Sequence, residues 1–415
     1  IMSRIIKNTL LNYIPNNFVI ENEINSARIF ELNQNYVKDG LVIYLCEREI
    51  RAKDNFALQF AIQKSKTLNK QLKIIHPKNN YIHKPKQEFI DRQLLQAQSE
   101  FSSAKIDFEI VESNNLPDYI DDLKASILIV DFNPILDRKW LNNVKYKVYE
   151  IDSHNITPAR FVSNKQEYNA ATLRRKIYNN IYPFLTEFEN ITCYKTEADV
   201  CLNNFIKEKL QYYAEFKNNP SKNILSGLSK YLNLGFISSQ RVTLEVIKSK
   251  ISDENKESFL EELIIRKELA DNFCLYCKSY KSLKCIPNWA KESLDLHKND
   301  LRKFIYTKKD FENAKTHDKL WNFAQMQLLK NGIIHGYLRM YWAKKILEWT
   351  SSPQKAINIA IYLNDKYAYD APSASGYSNI LWSIAGLHDR AFRNYPVTGK
   401  IRRMNAHSII KLLNL

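Results

Sequence analysis

Apolar positions follow two regimes along the chain. Between residues 41 and 151 they form short unbroken runs: Leu41–Cys46 (LVIYLC), Leu72–His76, Asp107–Val111, Ile127–Phe132 and Lys147–Ile151. Runs this short, bounded by polar turns, are the pattern of strands buried on both faces. Helical patterns separate them at Asn55–Leu68, Pro85–Ser103 and Pro117–Lys124. Asp54 is the expected cap of the first of these, with Phe56, Phe60 and Ile62 on its inner side. Strands alternating with helices predict a parallel sheet with helices on both faces, a Rossmann-like α/β domain over 41–170. No GxGxxG and no Walker lysine motif occurs, so neither a dinucleotide nor a nucleoside triphosphate site is indicated there.

After residue 171 the apolar residues recur at steps of three and four, and the strand signals fade. Residues 1–40 read as a polar N-terminal extension, with at best a short helix near Ser26–Leu32. Residues 171–200 read as a linker, with a basic segment at Ala171–Asn180 and a polar, loop-like one at Ile181–Lys195. Residues 201–415 read as an all-α domain. Seven of the eight glycines lie beyond residue 226, where each is expected to hold a turn or a close approach.

Within that helical region, Lys315–Trp349 carries Trp321, Trp342 and Trp349, three of the six tryptophans. A helix is predicted from Ile333, Ile334, Tyr337, Leu338, Tyr341, Trp342, Lys345, Ile346 and Trp349. Trp342 and Trp349 would then share one face, roughly 10 Å apart along the axis. Aromatic residues at helical spacing are ordinarily core. The alternative is a relay of indole rings leading to a redox group, and spacing alone does not separate the two.

Composition narrows the class. A net charge of +16 favours a polyanionic partner, nucleic acid before an anionic membrane, unless it reflects only an Asn/Lys/Ile-rich composition. No apolar run approaches the roughly 18 residues of a membrane span. Residues 1–11 lack the core of a secretion signal. Six scattered cysteines suit reduced thiols in an intracellular compartment. Cys274 and Cys277 form a CxxC with Cys285 nearby, but the pair lies in a helical pattern without a fourth ligand. Buried structural thiols are expected, and no metal.

The Lys315–Trp349 stretch, followed by IYLNDKYAYD (361–370) and LWSIAGLHDRAF (381–392), resembles the signature region of class II cyclobutane pyrimidine dimer photolyases, in the photolyase/cryptochrome family. A second match is YYAEFKNNPSKNILSGLSKYLNLGFISSQR, Tyr212–Arg241. The resemblance spans roughly 40–410. It implies an α/β N-terminal domain and a helical domain holding one FAD, active as FADH−. It also implies light-driven electron transfer to a flipped-out dimer in DNA, and return of the electron after the ring splits.

Residue by residue, the resemblance assigns Leu225, Ser226, Gly227, Leu228 and Ser229 to the FAD diphosphate. Read alone, these residues are a helix cap, although hydroxyls, a glycine and free N–H groups do suit phosphate. Tyr213 matches a flavin-contacting tyrosine, and Lys217 stands where arginine is usual. Asn364 is placed near flavin N5, and Asp370 is paired with Arg339 beside the ring. Glu262 becomes the carboxylate that meets the lesion, from a dry cleft that would raise its pKa. Read alone, Glu262 is half of an i,i+4 ion pair with Arg266. Met340 and Trp382 become the surfaces that receive the bases. Lys400, Arg402 and Arg403 are placed at DNA phosphates. Trp342 would lie nearest the flavin, then Trp321, then Trp349 at the surface, as a photoreduction chain.

The chain also departs from the family pattern. Ala371–Ser375 replaces a Gly-Arg-Asp-Pro-type run, Phe392 replaces tryptophan, and Arg403 replaces tyrosine. An antenna chromophore, deazaflavin or folate, is implied for the family but not legible in this chain. The expected protein is an intracellular monomer of cytoplasm, nucleoid or nucleus, acting on UV-damaged DNA without membrane attachment. A cryptochrome-like photoreceptor without repair activity is the alternative, and a flavin-free DNA-binding protein is a third possibility.

Overall fold

The computed structural model describes residues 9–20, 23–112 and 115–413. Part of the N-terminal extension, residues 1–8 and 21–22, lies outside the described residues, and with it most of the stretch read for a secretion signal. All five predicted strands form, in a six-stranded sheet ordered β1-β6-β5-β2-β3-β4. Its strands are β1 Ile29–Glu31, β2 Leu41–Leu45, β3 Leu72–Pro77, β4 Phe108–Val111, β5 Ala125–Asp131 and β6 Lys147–Ile151. β2 to β6 pair in parallel, whereas β1 runs antiparallel to β6 at the edge.

β1 corrects the helix expected near Ser26–Leu32. Only Ser26–Arg28 turns helically, and Ile29 pairs with Ile151. Arg28 explains the chain reversal there. Its guanidinium is buried and donates to the carbonyls of Asp152, Asn155 and Ile156, fastening the lead-in to the segment after β6.

The unbroken apolar runs are accounted for by burial on both sheet faces. Val42 and Tyr44 of β2, with Ile127 and Ile129 of β5, enter one core. Ile43, Leu45, Leu128 and Val130 enter the core on the opposite face. Helices Phe56–Leu68 and Lys84–Ser103 form as predicted. The first is capped by Asn55, whose side chain accepts from the Leu58 N–H. Asp54, the expected cap, pairs with Arg241 instead.

From Ala170 onward the described chain is helical apart from its connections, and no described helix is long and apolar enough to cross a membrane. The first core continues into this region through Leu173, Tyr213, Phe259 and Leu269. A separate core gathers residues from Ala270 to Ile409 around the three indoles. Residues 253–276 are helical with a π-helical insert at Glu261–Arg266. A π turn places i+5 rather than i+4 over i. Arg266 accordingly pairs with Glu261, at 3.0 Å, and not with Glu262 as α-helical spacing predicts. Cys277 lies just past the end of this helix and is joined to Cys285, with Cα atoms 6.4 Å apart. Reduced thiols are therefore found at Cys46, Cys193, Cys201 and Cys274.

Candidate functional site

The indole cluster is built by two helices that meet at Asp318. Lys319–Asn331 starts where one Asp318 oxygen accepts from the Trp321 N–H, at 2.8 Å. The other Asp318 oxygen accepts from the Tyr341 hydroxyl, on helix Gly336–Glu348. One carboxylate thus sets both helices relative to each other, one residue away from Trp342. The second helix begins at Gly336, later than its apolar period suggested. Gly332 ends the preceding helix in the left-handed region (φ 66°), leaving Ile333 and Ile334 in the connection.

Trp321 and Trp342 are nearly parallel, with centroids 6.3 Å apart and planes 8° from one another. Trp349 meets Trp321 edge-on, also at 6.3 Å. Both inner nitrogens are fixed. Trp321 Nε1 donates to the Trp342 carbonyl and Trp342 Nε1 donates to Gln325 Oε1, each at 2.9 Å. Trp321 thus lies between Trp342 and Trp349. Trp349 is not at the surface, however: it is 6% exposed. His317 and Tyr306 cover it, at 4.8 and 5.9 Å between ring centroids. The Tyr306 hydroxyl lies 2.8 Å from His317 Nδ1.

A second group surrounds the end of helix Pro353–Tyr367. Arg339 contacts both oxygens of Asp370 at 3.2 Å. Asn364 is buried, and its amide donates to Asp365 Oδ1 at 3.1 Å. The other Asp365 oxygen accepts from the Tyr377 hydroxyl at 2.8 Å. Burial pushes the Asp365 carboxyl up, and it similarly drives His335 down to about 4. Gly376 packs closely here: a Cβ would begin 3.0 Å from the Asn364 amide nitrogen and 3.1 Å from the Ser373 hydroxyl, so these side chains would have to shift. The altered run 371–375 serves the local fold. Its Ser373 accepts from the Gly376 N–H and caps helix Ala374–Ala385.

The predicted phosphate segment is a turn into the short helix Ser229–Asn233. Gly227 sits at φ 72°, and a Cβ there would approach only the Cys201 sulfur, at 3.6 Å. Leu225 is partly buried and Leu228 fully buried, so these two anchor the turn. A cavity of about 650 Å³ opens beside it, lined by Ser226, Tyr231, Cys201, Lys195 and Lys209 among others. Arg339, Asn364 and Asp370 do not line that cavity.

The expected lesion and DNA residues are largely paired with neighbouring groups of the protein. Glu262 is not in a dry cleft. Its side chain is 48% exposed and pairs with Lys217 at 3.0 Å. Lys217 also lies over the ring of the buried Tyr213, at 5.8 Å. Trp382 is half-buried between Lys344 and Arg402, whose charged centres lie 4.7 and 5.6 Å from its ring. Arg402 is exposed but forks onto Asp389 with two 3.0 Å bonds, and its guanidinium stacks on Phe392 at 4.3 Å. Arg403 covers Tyr395 at 4.8 Å. Lys400 is exposed, and Met340 is half-buried beside Arg339. Among the described residues no group of three or more His, Cys, Asp or Glu is arranged to hold a metal ion.

Comparison with known proteins places this arrangement. No protein-family model matches the chain. The deoxyribodipyrimidine photo-lyase of Potorous tridactylus is 33% identical over 97% of this chain and 85% of its own length. The Oryza sativa enzyme of the same name is 35% identical over 88% of this chain and 84% of its own. The chain belongs to the deoxyribodipyrimidine photo-lyase family. Animal and plant relatives agree with the class II reading. The photo-lyase fold extends to a Synechocystis cryptochrome structure, with a TM-score of 0.67 at 12% identity, covering 92% of this chain and 87% of that one.

Within that photo-lyase framework stand several supporting residues that sequence reasoning missed. Asp318 stands directly before an apolar run, which is a cap signal. Gln325 lies four residues after Trp321, on the same helix face. Tyr306, His317 and Lys344 carry no signal that separates them from their neighbours.

Proposed function

We propose that this chain repairs cyclobutane pyrimidine dimers in DNA in a light-dependent reaction, using one FAD held by its helical region, 201–415. The observation that carries the proposal is the run of three indoles at 6.3 Å steps. It occurs in a chain one-third identical, over nearly its whole length, to a photo-lyase.

The residues present fit the cofactor. The left-handed Gly227 turn sets Ser226 on the wall of a cavity that Lys195 and Lys209 also line, a setting suited to a diphosphate. His335 Nε2 is buried without a hydrogen-bond partner, one turn before Arg339, which suits a polar ligand atom at that place. Tyr213, the 225–229 turn, Arg339, Asn364 and Asp370 would hold the group. Bound FAD supplies a light-excitable electron donor for opening the cyclobutane ring.

The remaining work falls to side chains. Gln325 and Asp318 hold Trp342 and Trp321 in register, and the stacked rings provide a path inward from Trp349. Trp382 and Met340 offer flat or soft apolar surface to an extruded base. Glu262 orients the lesion once DNA phosphate draws Lys217 away from it. Lys400, Arg402 and Arg403 add cations at the opposite end of the sequence motif.

Illumination of the flavin-loaded protein with a dimer-containing oligonucleotide tests the proposal. Recovery of thymine absorbance is expected. The cryptochrome alternative is favoured by one observation, the self-paired state of Glu262 and Lys217, and predicts flavin photochemistry without that recovery. A colourless preparation that still binds DNA would support the flavin-free reading.

A further inference from the structure

The turn between Asn364 and Ala371 is gripped from outside the helical region by a single buried cation. Lys86 lies in the first turn of helix Lys84–Ser103, which belongs to the α/β part of the chain, and its side chain is 0% exposed. Its ammonium donates to the Asp365 carbonyl and to the Ala371 carbonyl, both at 2.7 Å. These acceptors are the residues immediately after Asn364 and immediately after Asp370. Lys86 therefore spans the turn at the two points where a candidate cofactor residue leaves it.

Neighbouring contacts make the grip specific. Phe89, one helical turn on, stacks on Tyr369 with centroids 5.0 Å apart and planes 9° from parallel. His83 meets the Tyr367 ring edge-on at 4.8 Å. Tyr369 in turn closes over Gly332, where any Cβ would fall 2.2 Å from its ring, and its N–H donates to the Gly332 carbonyl. Burial drives the pKa of the Lys86 ammonium down to about 8, and the charges of Asp365 and Asp370 offset that burial only in part. A buried lysine without a directly bonded carboxylate is costly, and it persists where the two carbonyls need a donor that the turn itself does not supply.

We propose that Lys86 is a positioning residue for the flavin site: by clamping both ends of the 365–371 turn it fixes Asn364 and Asp370, so that the α/β part of the chain sets the geometry of the cofactor pocket in the helical part. The inference rests on the assignment of Asn364 and Asp370 to FAD. The experiment uses the full chain, with Lys86→Met, Lys86→Arg and, as a control, Lys147→Met. Lys147 is also a buried lysine that reaches between segments, to Glu31 and the Asn33 carbonyl, at the sheet edge and away from both the turn and the cavity beside Ser226. FAD affinity, the flavin absorption bands, amide exchange and thermal midpoint are measured on each.

Lys86→Met is expected to weaken FAD binding about tenfold or more, to shift the bound flavin's bands, and to speed amide exchange at Ala368, Tyr369 and Ala371. Lys86→Arg should recover most of the affinity, since it keeps the charge and the donors. Lys147→Met should lower the midpoint while leaving affinity and bands in place. Folded Lys86→Met with unchanged affinity, bands and exchange overturns the clamp. A drop in affinity shared equally by Lys147→Met also overturns it, by reducing Lys86 to a stability residue. Wild type that takes up no FAD overturns the cofactor assignment itself, and is recognised before any variant is compared.

Discussion

The indole cluster and the proposed DNA face are built on opposite principles. In the cluster, every polar atom of the two inner rings is committed to the fold: Trp321 to a backbone carbonyl and Trp342 to Gln325. On the DNA face the charged groups are committed to one another, Lys217 to Glu262 and Arg402 to Asp389. The cluster is finished before any partner arrives. The proposed DNA face holds its charges in pairs with one partly exposed member each, Glu262 at 48% and Arg402 at 43%, which a phosphate or a base can reach. An electron path needs fixed distances, whereas a binding face needs groups that can be released.

The largest effect that tests this contrast lies in the cluster. Trp321→Ala should destabilise the fold by about 3–5 kcal/mol, because a fully buried indole leaves a cavity. A chemical denaturation midpoint reads this, and a loss near zero would mean the ring is not part of a packed core. Trp349→Phe keeps an aromatic ring in the core with a smaller loss of volume, and should block photoreduction in vitro while sparing repair by chemically reduced protein. Equal loss of both activities would remove the relay. Tyr306→Phe, one ring further out, should slow photoreduction less than Trp349→Phe does.

Lys344 gives a smaller effect, with a defined sign. Burial against Trp382 drives its pKa from 10.5 down to about 7. Between those values the unfolded chain holds a proton that the folded chain has released, so this group makes stability rise with pH from about 7 towards 10.5. That contribution is absent below pH 7. Lys344→Met should flatten the rise in a series of unfolding curves, and an unchanged slope would show that the group titrates normally.

On the DNA face the effects on folding should be slight. Glu262→Ala should change stability by about 0.5 kcal/mol or less, since its pair is half exposed. It should nevertheless lower repair yield without lowering DNA affinity, because it frees Lys217. DNA affinity should fall steeply with salt. Arg402→Ala should reduce that salt slope by about 1 if its guanidinium leaves Asp389 for a phosphate. An unchanged slope would show that Arg402 stays paired.

The same contrast explains what the sequence made legible. Strands and indoles declare themselves because burial constrains residue type at each position. The run LVIYLC has to be apolar throughout when both faces of β2 are covered. β1 escaped because a three-residue edge strand, with Phe30 and Glu31 exposed, has no such signature. Glu262 was read against Arg266 on α-helical spacing, and the π turn that redirects Arg266 to Glu261 leaves no mark in the sequence. Lys86 was silent for another reason: its partners are carbonyls nearly three hundred residues away, and carbonyls have no side-chain identity to read. Asn364, Asp370 and the 225–229 turn are assigned by resemblance alone, since as isolated residues they look like ordinary helix ends.

The most direct measurement is the fading of the oxidised flavin band under blue light, with an external reductant present, in FAD-loaded wild type and in Trp321→Phe. The account predicts steady bleaching in wild type and almost none in the variant, because Trp321 is the ring through which Trp349 and Trp342 are joined. Equal bleaching in the two proteins, at equal flavin content, would contradict it.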